Sequence, residues 1–149
     1  MRKLILAAFV APLLVAGFAA QAQTSGNCSP PNDVSRRWGA PKQVLFATGS
    51  TAITAEGQKV IAEQASLAKA NYIQQICLTG YTDKQGNADA NQKLARTRAN
   101  AVAAALVKQG VDAKSIVITP VSSENTGATI FGKGAQSSAD RRVDIKFGK

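Results

Sequence analysis

The chain has 149 residues, with 18 Lys and Arg against 9 Asp and Glu, two cysteines and no histidine. Such a length suits one main domain and leaves little room for a second. The missing histidine removes the commonest general base and the commonest metal ligand. The surplus of basic residues favours polyanionic partners.

In chain order, Met1-Arg2-Lys3 is a short positive start, and an apolar run from Leu4 to Ala20 follows, broken by Pro12 and Gly17. Ala20-Gln21-Ala22 is then a small-residue cleavage pattern, so residues 1–22 read as a secretory signal peptide. The competing reading, a membrane anchor, suffers because the apolar run falls short of the ~20 residues a span needs. A lipid anchor is disfavoured too, since Ser25-Gly26-Asn27 before Cys28 is not a lipidation box. Without Arg2 and Lys3, 16 basic residues face 9 acidic ones, a net charge of +7. In the cytosol that balance would suggest nucleic acid. Behind an export signal it suggests envelope polymers carrying carboxylate or phosphate, or simply a soluble surface.

Residues 23–41 form an arm. Ser29-Pro30-Pro31-Asn32 cannot lie inside a helix or a central strand, because proline lacks the amide donor. Trp38 is expected to dock this arm on the body. The pairing Cys28–Cys77 is the one intrachain disulfide available, and an exported protein meets an oxidising compartment. The alternative is a buried Cys77 in a strand with Cys28 free.

Residues 42–149 form the domain. Val44-Leu45-Phe46 reads as a buried strand. Thr54 is a helix N-cap with Glu56 in the first turn, and Ile53, Val60, Ile61, Leu67 and Ala68 give helical spacing, which predicts a helix over 55–70. Ile73 to Thr79 is a second strand, ended by Gly80. Tyr81 to Asn87 is a loop of turn-forming residues. A second helix is predicted over 88–108, with Leu94, Ala95, Ala99, Val102, Ala105 and Leu106 on its apolar face and Gly110 as a left-handed stop. Ile116 to Thr119 is a third strand. Residues 121–139 are rich in Ser, Gly, Thr and Asn, with Thr129-Ile130-Phe131 as a short edge piece. Val143, Ile145 and Phe147 alternate with Asp144 and Lys146, a half-buried last strand. Strands separated by helices need crossovers. The expected fold is therefore α/β, an α+β two-layer sandwich of order β-α-β-α-β-β, with two helices on one face of a mixed four-stranded sheet.

The residues that could carry chemistry are Asp83, at the end of a strand, and Arg98, on the helix that follows. An acid beside a guanidinium suits a zwitterionic amino-acid head: the carboxylate accepts from an ammonium, and the guanidinium fork takes a carboxylate. A plain structural ion pair is the other reading of the same spacing. Gly80-Tyr81-Thr82-Asp83, Gly86, Asn91, Leu94, Arg98-Ala99-Asn100-Ala101-Val102, Leu106 and Gly110-Val111 together resemble the C-terminal domain of the OmpA-like family, the peptidoglycan-binding type also found in peptidoglycan-associated lipoprotein and MotB. Asp140-Arg141-Arg142-Val143 resembles that family's closing signature. Val44-Leu45-Phe46, Ser50, Ile53 and Glu56-Gly57 resemble its opening. The resemblance covers residues 43–147.

The resemblance implies a non-catalytic domain that binds peptidoglycan through the diaminopimelate of the stem peptide, in the periplasm and associated with the outer membrane or the cell wall. Asp83 would take the ammonium and Arg98 the carboxylate. Thr82 and Asn91 would line the same pocket. One of Arg141 and Arg142 would face it, while the other pairs with an acid such as Asp89 or covers the sheet with its stem. The chain departs from the family at Ala95, where a serine is usual, and in the segment from Pro120 through Glu124 and Asn125 to Ala139. That departure, with the Cys28 arm, motivates a second reading: a structural or partner-binding envelope domain of the same fold that no longer binds the wall, with a protein partner on the arm. Catalysis is disfavoured. Asp83, Asp89 and Glu124 are the acids near the site, a glycosidase needs two carboxylates about one bond, and Asp83 beside Arg98 would be a poor general acid. No cofactor or metal is implied.

Overall fold

The computed structural model describes residues 28, 39–82, 87–120 and 140–148. The elements are β1 (Lys42–Leu45), α1 (Ala55–Ala70), β2 (Gln75–Gly80), α2 (Ala88–Lys108), a 3-10 turn (Ala113–Ser115), β3 (Ile116–Pro120) and β4 (Arg142–Gly148). The four strands form one sheet of order β1-β4-β2-β3. β2 and β3 run parallel, joined through α2, whereas β4 is antiparallel to both β1 and β2. The predicted order and the mixed sheet are therefore what the chain forms. The expected edge piece at Thr129-Ile130-Phe131, the docking of Trp38 and the signal peptide lie outside the described residues.

One face of the sheet is apolar by alternation. Val44, Ile76, Leu78, Ile116, Ile118, Val143, Ile145 and Phe147 point to the helices and close the core with Ile61, Ala65, Ala68, Ala99, Val102 and Leu106. In α1 the buried row is Ile61, Gln64, Ala65 and Ala68, at i, i+3, i+4 and i+7. Leu67, counted above on the apolar face, lies off that row and is exposed, and Gln64 occupies a buried place instead. The alanines let both helices lie close to the sheet.

Helix starts are capped as their residues require. Thr54 Oγ1 accepts from the Gly57 amide at 3.1 Å. Asn87 Oδ1, a cap the sequence reading did not single out, accepts from the Asp89 and Ala90 amides at 2.8 and 3.2 Å. The helix ends are twins. At the end of α2, the Val111 amide donates to Leu106 O and the Gly110 amide to Val107 O. At the end of α1, the Ile73 amide donates to Ala68 O and the Tyr72 amide to Lys69 O. Both are Schellman motifs, whose penultimate donor must take a left-handed backbone. Gly110 does so at φ 89°, as glycine can without penalty; Tyr72 does so at φ 53°.

On the other face of the sheet, Cys77 forms a disulfide with Cys28, with Cα atoms 5.8 Å apart. Asp144 is also on this face and is nearly buried, so β4 is less amphipathic than its alternation suggested. The reason is local: Arg142 Nε donates to Asp144 Oδ1 at 2.9 Å, and its guanidinium lies 4.1 Å from the centre of the Tyr81 ring.

Candidate functional site: a buried guanidinium at one end of the sheet

The site is built around Gly80. A Cβ at this position would collide with the backbone carbonyl of Ala95. Glycine thus lets α2 cross the end of β2 at close range, and Ala95, itself fully buried, completes the approach. Arg98, about one turn beyond Ala95, is then carried over the end of the sheet.

Arg98 is the largest fully buried side chain among the described residues, with 0% exposure. Its Nε donates to Ser50 O at 2.9 Å and its Nη2 to Ala47 O at 3.1 Å. Its Nη1 lies 3.5 Å from Tyr81 O. The Phe46 ring centre is 5.3 Å from the guanidinium carbon, close enough for a cation–π contact. A charge so placed is tolerable because backbone oxygens surround it. These contacts tie the loop between β1 and α1 to the exit of β2. Sequence reasoning missed this collar, since carbonyl acceptors carry no residue signature; only Phe46 and Ser50 were visible as part of a pattern.

Thr82 follows directly and is 4% exposed. Asn91 stands in the first turn of α2, its amide donating to Asn87 O at 3.0 Å. It is seven residues before Arg98, so both share one helix face, with Asn91 about 10 Å nearer the helix start. Thr82 thus follows the end of β2, and Asn91 and Arg98 lie on one face of α2. Asp83 lies outside the described residues.

The arginine pair divides. Arg142 alternates with core-facing Val143 and so belongs to the sheet face opposite the helices, where it meets Asp144 and Tyr81 rather than Asp89 or Arg98. Arg141 precedes it by one residue, and its carbonyl accepts from the Phe46 amide at 2.9 Å, beside the ring that supports Arg98. The Tyr81 phenol has its pKa raised, first by burial and then by the charge of Asp144; Arg142 opposes both. Among the described residues no group of three or more His, Cys, Asp or Glu could hold a metal ion. Nor is any described helix long and apolar enough to cross a membrane.

This arrangement of sheet, helices and spaced motifs matches the OmpA family over residues 45–142. The chain belongs to the OmpA family. A probable lipoprotein of Escherichia coli, YiaD, is 32% identical over 108 residues, which are 70% of this chain and 48% of that protein. The chain thus spans about half the length of this relative. Among solved structures, the peptidoglycan-associated lipoprotein of Burkholderia pseudomallei is 25% identical, with 71% of this chain and 89% of that one covered and a TM-score of 0.64. An OmpA-like domain from Francisella tularensis is 26% identical, covering 69% and 68% with a TM-score of 0.61. The C-terminal domain of Helicobacter pylori MotB, at 22% identity and a TM-score of 0.61 over 72% of this chain and 84% of that one, shares the fold.

Proposed function

We propose that this chain is a non-catalytic peptidoglycan-binding domain of the bacterial envelope, exported to the periplasm by residues 1–22, and that it holds the diaminopimelate of the stem peptide between Asp83 and Arg98. The observation that carries this reading is the Arg98 guanidinium, fixed in its carbonyl collar at the exit of β2, the strand that Asp83 follows in the sequence. A rigid fork needs no reordering to meet a carboxylate, so little of the binding energy goes into immobilising it. Thr82 and Asn91 are assigned to line the same pocket. Of the arginine pair, Arg141 is the one assigned to the ligand, because Arg142 is engaged on the far face of the sheet. The family's relatives include a peptidoglycan-associated lipoprotein, which favours the same polymer and compartment.

Calorimetry with a diaminopimelate-containing stem peptide tests this. Saturable binding is expected for the native protein. Asp83→Ala should weaken it by about 2–5 kcal/mol, the penalty for unpairing a desolvated charge. Absence of binding by the native protein would refute the proposal.

A second reading has its own observation. Backbone carbonyls already take donors from every nitrogen of the Arg98 guanidinium, as they would if this side chain only stapled the β1–α1 loop. The domain would then be a structural or partner-binding envelope module, with the arm before residue 41 as its contact. A protein partner whose binding survives Asp83→Ala, in a protein that ignores the stem peptide, would establish that reading.

A further inference from the structure

The other end of the sandwich carries a second recess, formed where both helices terminate and β2 and β3 begin. It encloses about 280 Å³ and is lined by Lys69, Tyr72, Gln74, Gly110, Asp112 and Ser115, among others. Arg98 sits near the start of α1 and the recess at its end; the 16 residues between span about 24 Å. The two sites cannot share one small ligand.

Tyr72 is the unexplained residue there. It holds the left-handed position of a Schellman motif, where its twin in α2 is Gly110. It gains nothing by burial, since it is 83% exposed. A bulky residue in this backbone region is strained, and the strain is not repaid by packing. A glycine would close the helix equally well. What tyrosine adds is an aromatic face presented at the mouth of the recess.

The rest of the lining states what that face would meet. Lys69 and Asp112 are one cation and one anion, so the recess selects neither phosphate nor metal. Lys69 Nζ is already held by Gln109 O at 2.8 Å, which bridges the two helix ends. The Ser115 hydroxyl donates to Asp112 O and the Gln74 amide to Tyr72 O, which leaves the Ser115 and Gln74 side-chain oxygens as acceptors and one Gln74 N–H as a donor. An exposed aromatic plate, balanced charge and mixed hydrogen-bonding groups suit a neutral ring with an apolar face and hydroxyl edges. The volume falls just below about 300 Å³, where ligand pockets begin, and is room for a single ring.

We infer that the recess at the helix ends is a saccharide-binding subsite, with Tyr72 as the platform on which a neutral sugar ring stacks. It is independent of the stem-peptide site and acts on a different part of a wall polymer, or on another glycan of the envelope.

The test is a nitrogen-15 NMR titration of the purified, disulfide-intact protein with tetra-N-acetylchitotetraose and, separately, maltotetraose. Saturable shifts confined to residues 69–74 and 110–115 are expected with at least one of them. Tyr72→Gly should weaken that binding tenfold or more while raising the melting temperature, a combination that a merely structural tyrosine could not give. Asp83→Ala should leave the shifts unchanged, whether or not the protein binds stem peptide. The inference is overturned if neither sugar saturates by about 10 mM, the range of the weakest specific complexes. It is equally overturned if Tyr72→Gly binds as well as the native protein, or if Asp83→Ala abolishes the shifts.

Discussion

The two ends of this sandwich treat an uncomfortable residue in opposite ways. At one end a cation is sunk completely and surrounded by the carbonyls of Ala47, Ser50 and Tyr81. At the other an aromatic is pushed out into solvent on a backbone shaped for glycine. The first arrangement is reinforced by everything near it: Gly80 admits the helix, the Phe46 ring supports the guanidinium, and the loop before α1 is tied down. The second has no such reinforcement. Stability and display therefore trade places along the length of α1, and substitutions at the two ends should differ in sign.

The largest effect is expected from Arg98→Met. It strands buried carbonyls and leaves space around a shorter head, and it should destabilise the fold by about 3 kcal/mol or more in urea unfolding. A loss below about 1 kcal/mol would mean the carbonyls find water instead. Gly80→Ala should follow at about 1–3 kcal/mol, because a methyl meets the Ala95 carbonyl with no flexible neighbour to yield. At the opposite end, Gly110→Ala should destabilise by about 1–2 kcal/mol from backbone conformation alone. Its Cβ would find only the flexible Lys69 side chain, no closer than 3.7 Å, so steric contact adds little. Tyr72→Gly reverses the sign, with a gain of about 1 kcal/mol; a loss in thermal or urea unfolding would show that Tyr72 packs after all and would remove the contrast.

The smallest effect lies on the sheet face away from the helices. Tyr81 has a raised pKa in the folded protein, so the native state holds its proton more tightly than the unfolded chain. The stability this provides is complete below the ordinary tyrosine value near 10 and is lost as pH rises through the higher folded value. Tyr81→Phe should flatten that alkaline decline. An unchanged slope would assign it to other groups.

Much of the fold was legible in the sequence because each signal was local and chemically redundant. Thr54 before Glu56 marked the start of α1, and Gln109-Gly110 marked the end of α2. Alternation of Val143, Ile145 and Phe147 fixed the core face of β4. Where one residue had to answer to a distant one, legibility failed. Asp144 looked like a solvent position until Arg142 and Tyr81 covered it. Leu67 looked like core, yet the helix rolls so that Gln64 takes the inner row. The left-handed turn at Tyr72 could not be read, since nothing in Asn71-Tyr72 announces a conformation that tyrosine avoids. At the site, Arg98 does reach the exit of β2, where Thr82 follows, and Asn91 lies on the same face of α2. The carbonyl collar was invisible, as backbone oxygens belong to every residue alike. The separation of Arg141 from Arg142 was implicit in the alternation along β4, which puts Arg142 on the face opposite Val143, but its partner Tyr81 follows another strand and could not be read.

The Cys28–Cys77 link has a mechanical meaning. Tension applied ahead of residue 28 and resisted at the far end of the domain would not travel through the intervening chain. It would pass across the disulfide straight into β2, which is hydrogen-bonded on both sides, by β4 and by β3. Edge strand β1, helix α1 and the loop that Arg98 grips all lie within the bypassed segment and would carry no load. A domain wired in this way can be pulled on without the end that holds Arg98 being the first part to tear.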